Sequence, residues 1–136
     1  MTNIQRTHLD DLENQSIFIF REAYHAFKKI AMPWSMGKDS NVLVWLARKA
    51  FFGRVPFPVL HIDTTYEFPE MLEFREWARK HHNLNLIVKI NTEARTGGIG
   101  YETHDPVTVT HELKTVALQQ VLAEYKWDAL ITGIRR

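Results

Sequence analysis

The chain has 136 residues, 17 Lys and Arg against 16 Asp and Glu for a formal net charge of +1, with 45% hydrophobic and 24% charged residues. That is the size and balance of one globular domain over 1–136, built around one core, and not of a disordered or membrane-embedded chain. There is no cysteine, so disulfides, thiolate catalysis and Cys-ligated zinc are excluded, and the small net charge gives no footprint for general nucleic-acid binding.

Thr7 and Asp10 have the spacing of a capping box, and Leu9, Leu12, Phe20, Ala23, Phe27 and Ile30 keep mostly to one face, which predicts a first helix over about 7–28. A short apolar run, 30–35, ends at a Gly-containing turn and reads as a strand. From Lys38 or Asp39 to Phe52 the pattern is helical and apolar around most of its circumference, so this helix is expected to be buried. A β-rich segment over 57–63 follows, then a helix from Phe68 to about His82, with Pro69 and Glu70 suited to its first turn. Residues 84–90 form a third strand, 91–110 a long Gly- and Thr-rich connection, and 111–125 a helix that Thr110 is placed to cap. Residues 128–133 make a fourth strand.

Strand and helix alternate throughout, so the strands pair in parallel through right-handed crossovers, and the class is α/β: a three-layer, doubly wound sheet. The connection after the third strand must return to the free side of the first, giving the order third, second, first, fourth and a crevice at the carboxyl ends of the strands. The fourth strand would then be an open edge, which favours a homo-oligomer. A sheet ending on a strand also reads as the front part of a longer protein. The longest apolar run, 42–47, is too short for a membrane span, and the polar first eight residues lack the apolar core of a signal peptide. These features agree with a cytoplasmic location.

The strongest motif is Ser35-Met36-Gly37-Lys38-Asp39-Ser40, set between a strand and the first turn of a helix. Unpartnered amides and the positive end of the helix dipole make an anion site there. Gly37 lets the backbone turn tightly and approach a phosphate. Ser35 and Ser40 add hydroxyls, Lys38 a point charge, and Asp39 implies Mg²⁺ between itself and phosphate. The loop is not a Walker A motif, because Met32 stands where the first Gly belongs and Asp39 follows the lysine. A loop this short suits a departing pyrophosphate.

Elsewhere, His61 and Asp63 alternate at the end of the second strand ahead of Thr64 and Thr65. A carboxylate there suits Mg²⁺ or a ribose hydroxyl, or else caps a turn. Arg135 and Arg136 follow the fourth strand, either across the crevice from Lys38 or solvated. Gly97, Gly98 and Gly100 read as hinges of a mobile lid. Lys114 and Thr115, early in the last helix, face either the site or solvent. His104 and His111 do not read as a zinc pair, and Trp45, Trp77 and Trp127 stand at core spacing.

The loop resembles the PP-loop of the ATP pyrophosphatase superfamily, whose fold is adenine nucleotide alpha hydrolase-like. LARKAFF (46–52), PFPVLHIDT (56–64), EMLEFRE (70–76), LKTVALQQVL (113–122) and GIRR (133–136) further resemble the small subunit of bacterial sulfate adenylyltransferases. The resemblance implies ATP and Mg²⁺ as cofactors and a nucleotidyl transfer from ATP to sulfate in sulfate assimilation. It also implies a GTPase large subunit as partner. On it, Ser35, Gly37, Lys38, Asp39 and Ser40 hold pyrophosphate, with Asp39 toward the metal. His61, Asp63, Thr64 and Gly133 line the nucleotide pocket, while Lys38, Arg135 and Arg136 act on phosphate or sulfate. Met36 and Thr65 stand where relatives usually have glycine, and Pro33 is expected to remove a ladder bond from a central strand. Phosphoadenosine-phosphosulfate reductases share the fold but need a cysteine, so they come second, beside another PP-loop adenylyltransferase with a different acceptor and a nucleotide-binding fragment without turnover.

Overall fold

A computed structural model describes residues 7–134; Arg135 and Arg136 lie outside the described residues. Helix α1 (His8–Ala26) opens with the capping box: Asp10 N–H donates to Thr7 Oγ1 at 3.2 Å and Thr7 N–H to Asp10 Oδ2 at 3.0 Å. Strand β1 (Ile30–Pro33) runs into α2 (Lys38–Ala50), β2 (Val59–Ile62) into α3 (Pro69–His81), and β3 (Leu86–Lys89) into the short helix α4 (Thr92–Thr96). A second short helix, α5 (Pro106–Thr110), passes through a π-helical turn (His111–Thr115) into α6 (Val116–Tyr125), and β4 (Ala129–Leu130) follows.

The four strands are parallel in the order β3-β2-β1-β4. Right-handed crossovers put α2 and α3 on one face of that sheet and α5–α6 on the other. Apolar burial divides accordingly. Val44, Leu46, Ala47, Ala50 and Ala78 from α2 and α3 pack with Met32, Trp34, Phe57 and Val59 in one cluster. On α5–α6, Val109, Leu113, Ala117 and Val121 are buried outside it.

Several expectations need correction. Helix α2 is not buried all round, since Val42 and Trp45 are half exposed. Trp45 and Trp77 are surface residues, and Trp127 is only partly covered; Trp34 is the buried tryptophan. Most apolar residues of α1 face solvent, with Phe20 its one buried residue. Pro33 breaks no β1–β2 bond: Met32 and Trp34 supply the donors, to Pro58 O at 3.0 Å and Leu60 O at 2.7 Å. Its missing N–H falls on the β4 side, beyond the last paired residue there, Leu130. The 91–110 connection contains α4 and α5, and Asp105 rather than Thr110 caps the last helical stretch, accepting the Thr108 N–H at 3.3 Å. No helix among the described residues is long and apolar enough to cross a membrane.

Candidate active site

At the carboxyl end of β1 the chain turns through Met36, in the left-handed region at φ 65°, into α2, whose N-cap is Gly37 at φ −76°. The conformational demand therefore falls on Met36, not on Gly37 as the sequence suggested, and a side chain at Gly37 would meet only ordinary contact with Ser35 Oγ at 3.5 Å. What holds Met36 there is Asn41. Its Nδ2 donates to the Met36 carbonyl at 3.1 Å while its Oδ1 accepts the Trp34 indole N–H at 2.8 Å. Gly37 gives no side-chain cap, so the first amides of α2 stay available to an anion. Ser35 and Ser40 bring their hydroxyls within 3.1 Å of one another, and Ser40 Oγ donates to the Gly37 carbonyl at 3.1 Å. Lys38 and Asp39 are exposed and make no hydrogen bond or ion pair with other described residues.

Beside the loop is a cavity of about 320 Å³ whose walls include Ser35, His61, Thr64, Glu67, Tyr101 and Lys114. His61 is buried, and its Nδ1 lies 3.2 Å from Arg75 NH1, a guanidinium that can only donate; the network therefore assigns the neutral ring's proton to Nε2. Burial, then the Arg75 charge, hold His61 below the ordinary histidine value against the opposing pull of Asp63, and Lys114 lowers it further. A neutral imidazole that can donate is thus fixed in the cavity wall. Nε2 lies 3.7 Å from Glu67 Oε1, which accepts the Thr64 N–H and hydroxyl, both at 3.2 Å.

Asp63 has another task. Its Oδ1 accepts the Thr65 N–H at 2.7 Å and its Oδ2 accepts from Arg75 at 3.2 Å, so it closes the turn after β2 and anchors α3. Burial disfavours the Asp63 anion, but the hydrogen bonds from the Thr65 amide and Arg75 outweigh it and hold the carboxyl below its usual value. It is not on the cavity wall. Of the other expected residues, Gly133 packs against α2, where an added Cβ would approach Leu43 Cδ1 to 3.2 Å, so β4 exits beside the loop helix. Among the described residues no cluster of three or more His, Cys, Asp or Glu side chains is arranged to hold a metal.

Sequence reasoning missed Asn41, Glu67, Arg75 and Tyr66. The Tyr66 hydroxyl accepts from Arg95 NH1 at 3.1 Å and from Tyr101 N–H at 3.0 Å, and donates to Glu102 Oε2 at 3.0 Å, pinning the glycine-containing segment to the turn after β2. A Cβ at Gly100 would come within 2.5 Å of both Tyr66 Oη and Glu102 Oε2, so a larger residue there would have to push these side-chain ends aside. A polar residue four places into a helix, or a tyrosine after a strand, carries no signal of such long-range bonds. The exception is Arg75, which sits on α3 at helical spacing from Arg79, where a basic residue facing the Asp63 strand end was open to inference.

A parallel β3-β2-β1-β4 sheet with an uncapped helix start after β1 and a cavity at its strand ends defines an adenine nucleotide alpha hydrolase-like α/β domain. In fold it matches phosphoadenylyl-sulfate reductase from Candida auris, with a TM-score of 0.73 at 17% identity over 99% of this chain and 70% of that one. Residues 29–136 match the phosphoadenosine phosphosulfate reductase domain model, and the chain belongs to that family. Within it, the chain is similar to sulfate adenylyltransferase subunit 2 of Hahella chejuensis, 46% identical over 137 aligned positions, covering all of this chain and 45% of that protein. The subunit 2 proteins of Phocaeicola vulgatus (47% identical, 98% of this chain, 45% of that protein) and Allorhizobium ampelinum (48%, 95% and 41%) are similarly related. The chain thus spans less than half the length of these curated relatives, and the resemblance read from the sequence motifs agrees with them.

Proposed function

We propose that the chain carries the nucleotide site of a sulfate adenylyltransferase, which joins ATP and sulfate to give adenosine 5′-phosphosulfate and pyrophosphate. The observation that carries the reading is the pairing of the Ser35–Ser40 hydroxyls and the uncapped start of α2 with a 320 Å³ cavity at the same strand ends. Relatives named for this activity support it. A sulfate oxygen attacks the α-phosphorus as the bond to the pyrophosphate oxygen breaks. Sulfate is a weak nucleophile that carries no proton needing removal, so rate enhancement comes from alignment and from stabilising the leaving pyrophosphate. The α2 amides, Ser35, Ser40 and Lys38 take that second role. His61, as a neutral donor, and Thr64 border the nucleoside side of the cavity, and Arg135 and Arg136 are assigned to phosphate or sulfate.

Asp39 fits a Mg²⁺ role, being an exposed carboxylate in the first turn of α2 whose side chain has no partner among the described residues, and Mg²⁺ bound to nucleotides takes one or two carboxylates with phosphate and water. The ion would neutralise triphosphate charge. The same reading assigns a GTPase large subunit as partner and a cytoplasmic setting. The test is isotope exchange of pyrophosphate into ATP, with and without sulfate, by the chain alone and with the large subunit. Sulfate-dependent exchange is expected; exchange that ignores sulfate would assign a different acceptor. Lys38→Ala should weaken ATP binding by about 1.5–3 kcal/mol, as for a charged hydrogen bond, with an unchanged melting curve.

A further inference from the structure

One wall of the cavity comes from Val109, Thr110, Leu113 and Lys114, where α5 widens into the π turn His111–Thr115. Such turns are rare and frequent at functional sites. Widening has a visible consequence here. Val109, Leu113, Ala117 and Val121 are all buried and stand four residues apart. In a regular α-helix each such step drifts by about 40°; the wider turn offsets part of that drift, in keeping with the burial of all four. Lys114, next to Leu113, has its direction fixed by the same adjustment.

Outside the helix, one polar side chain reaches into this turn. Asn91, just past the carboxyl end of β3, is 4% exposed, and its Nδ2 donates to the Glu112 carbonyl at 2.8 Å. Its Oδ1 accepts the Ala94 N–H at 3.3 Å and caps α4. The amide thus ties β3, α4 and the π turn together, with its donor end committed to the helix.

We propose that Asn91 is a positioning residue: its amide holds the turn His111–Thr115 open and so keeps Lys114 on the cavity wall, where the ammonium meets the phosphates of a bound nucleotide. This rests on the nucleotide reading of the cavity. Loss of the donor lets the turn tighten toward α-helical geometry, which rotates Lys114 relative to the wall.

The test is a double-mutant cycle on ATP affinity, read by calorimetry, with Asn91→Asp and Lys114→Ala. Asn91→Asp keeps an oxygen for the Ala94 N–H and replaces the donor to Glu112 with a carboxylate oxygen that faces the same carbonyl. Lys114→Ala is expected to weaken ATP binding about tenfold in the parent chain and less than about twofold beside Asn91→Asp, which alone matches the lysine variant. Equal effects of Lys114→Ala in both backgrounds would overturn the inference, because a purely structural asparagine gives additive losses. If circular dichroism shows Asn91→Asp unfolded, Asn91→Ser replaces it, keeping a good cap with a shorter side chain. Lys38→Ala is the control. Should it weaken ATP while Lys114→Ala does not, this inference alone fails; should neither change affinity, the nucleotide reading falls with it.

Discussion

The indole Nε1 of Trp34 donates to Asn41 Oδ1 at 2.8 Å, linking the buried end of β1 to the first turn of α2. Because the other end of that amide holds the Met36 carbonyl at 3.1 Å, one side chain fixes both sides of the turn into α2. Asn41→Ala leaves a buried indole donor and a loop carbonyl without these partners. It should lower unfolding free energy by about 1–3 kcal/mol, read by urea titration, and weaken ATP binding as well. Full retention of both would show that the turn holds its shape without the amide.

Thr65 sits at φ 71°, where a β-branched residue is strained, and its side chain makes no hydrogen bond that a glycine would forfeit. The Thr65 N–H bond to Asp63 is a backbone bond and survives substitution. Relief of about 1–2 kcal/mol exceeds the added chain entropy of glycine, about 0.5–1 kcal/mol, so Thr65→Gly should raise stability slightly. A drop in the denaturant midpoint would contradict this.

His61 gives the fold a dependence on pH. Its folded value lies below the ordinary 6.5, chiefly through burial and then Arg75. A depressed value means that the unfolded chain takes up the proton first, so the contribution is full above 6.5 and is lost as pH falls through the folded value. His82, lowered by its own burial and then by Arg48, acts in the same direction. Stability should therefore fall on acidification from neutral pH, and His61→Gln should flatten that slope. Asp63 is depressed from 3.8 and adds its loss only at lower pH. Denaturant midpoints taken across the acid range in both proteins check the sign.

Tyr66 is the hub of the segment that brings Tyr101 to the cavity wall. Tyr66→Phe removes the oxygen that Arg95 NH1 and the Tyr101 N–H share. Each lost bond is worth about 0.5–1.5 kcal/mol. Amide exchange at Tyr101 should speed up by the corresponding factor, and tryptic cleavage after Arg95 should increase. Unchanged exchange at Tyr101 would mean that the Tyr66–Tyr101 ring contact, with centroids 4.6 Å apart, suffices to hold the segment.

Much of this protein is written locally. The capping box at Thr7 and Asp10, the strand-turn-helix around Ser35 and Ser40, and Pro69 at the start of α3 are set by neighbours a few residues apart, so sequence alone places them. Alternation of strands with helices then restricts the sheet to parallel, and among the orders that right-handed crossovers allow, a crevice beside the first strand calls for β3-β2-β1-β4. Tertiary structure decided what each polar group does once those elements meet. Asp63, open in sequence to a metal, a ribose or a turn, is committed to Thr65 and Arg75. Met36 carries the left-handed turn instead of Gly37 because Asn41, five residues on, reaches back to its carbonyl. Asn91 reaches Glu112 across 21 residues, and Tyr66 reaches Glu102 across 36. Such bonds leave no periodicity to read, because they form only between side chains that packing has already brought to the same strand ends.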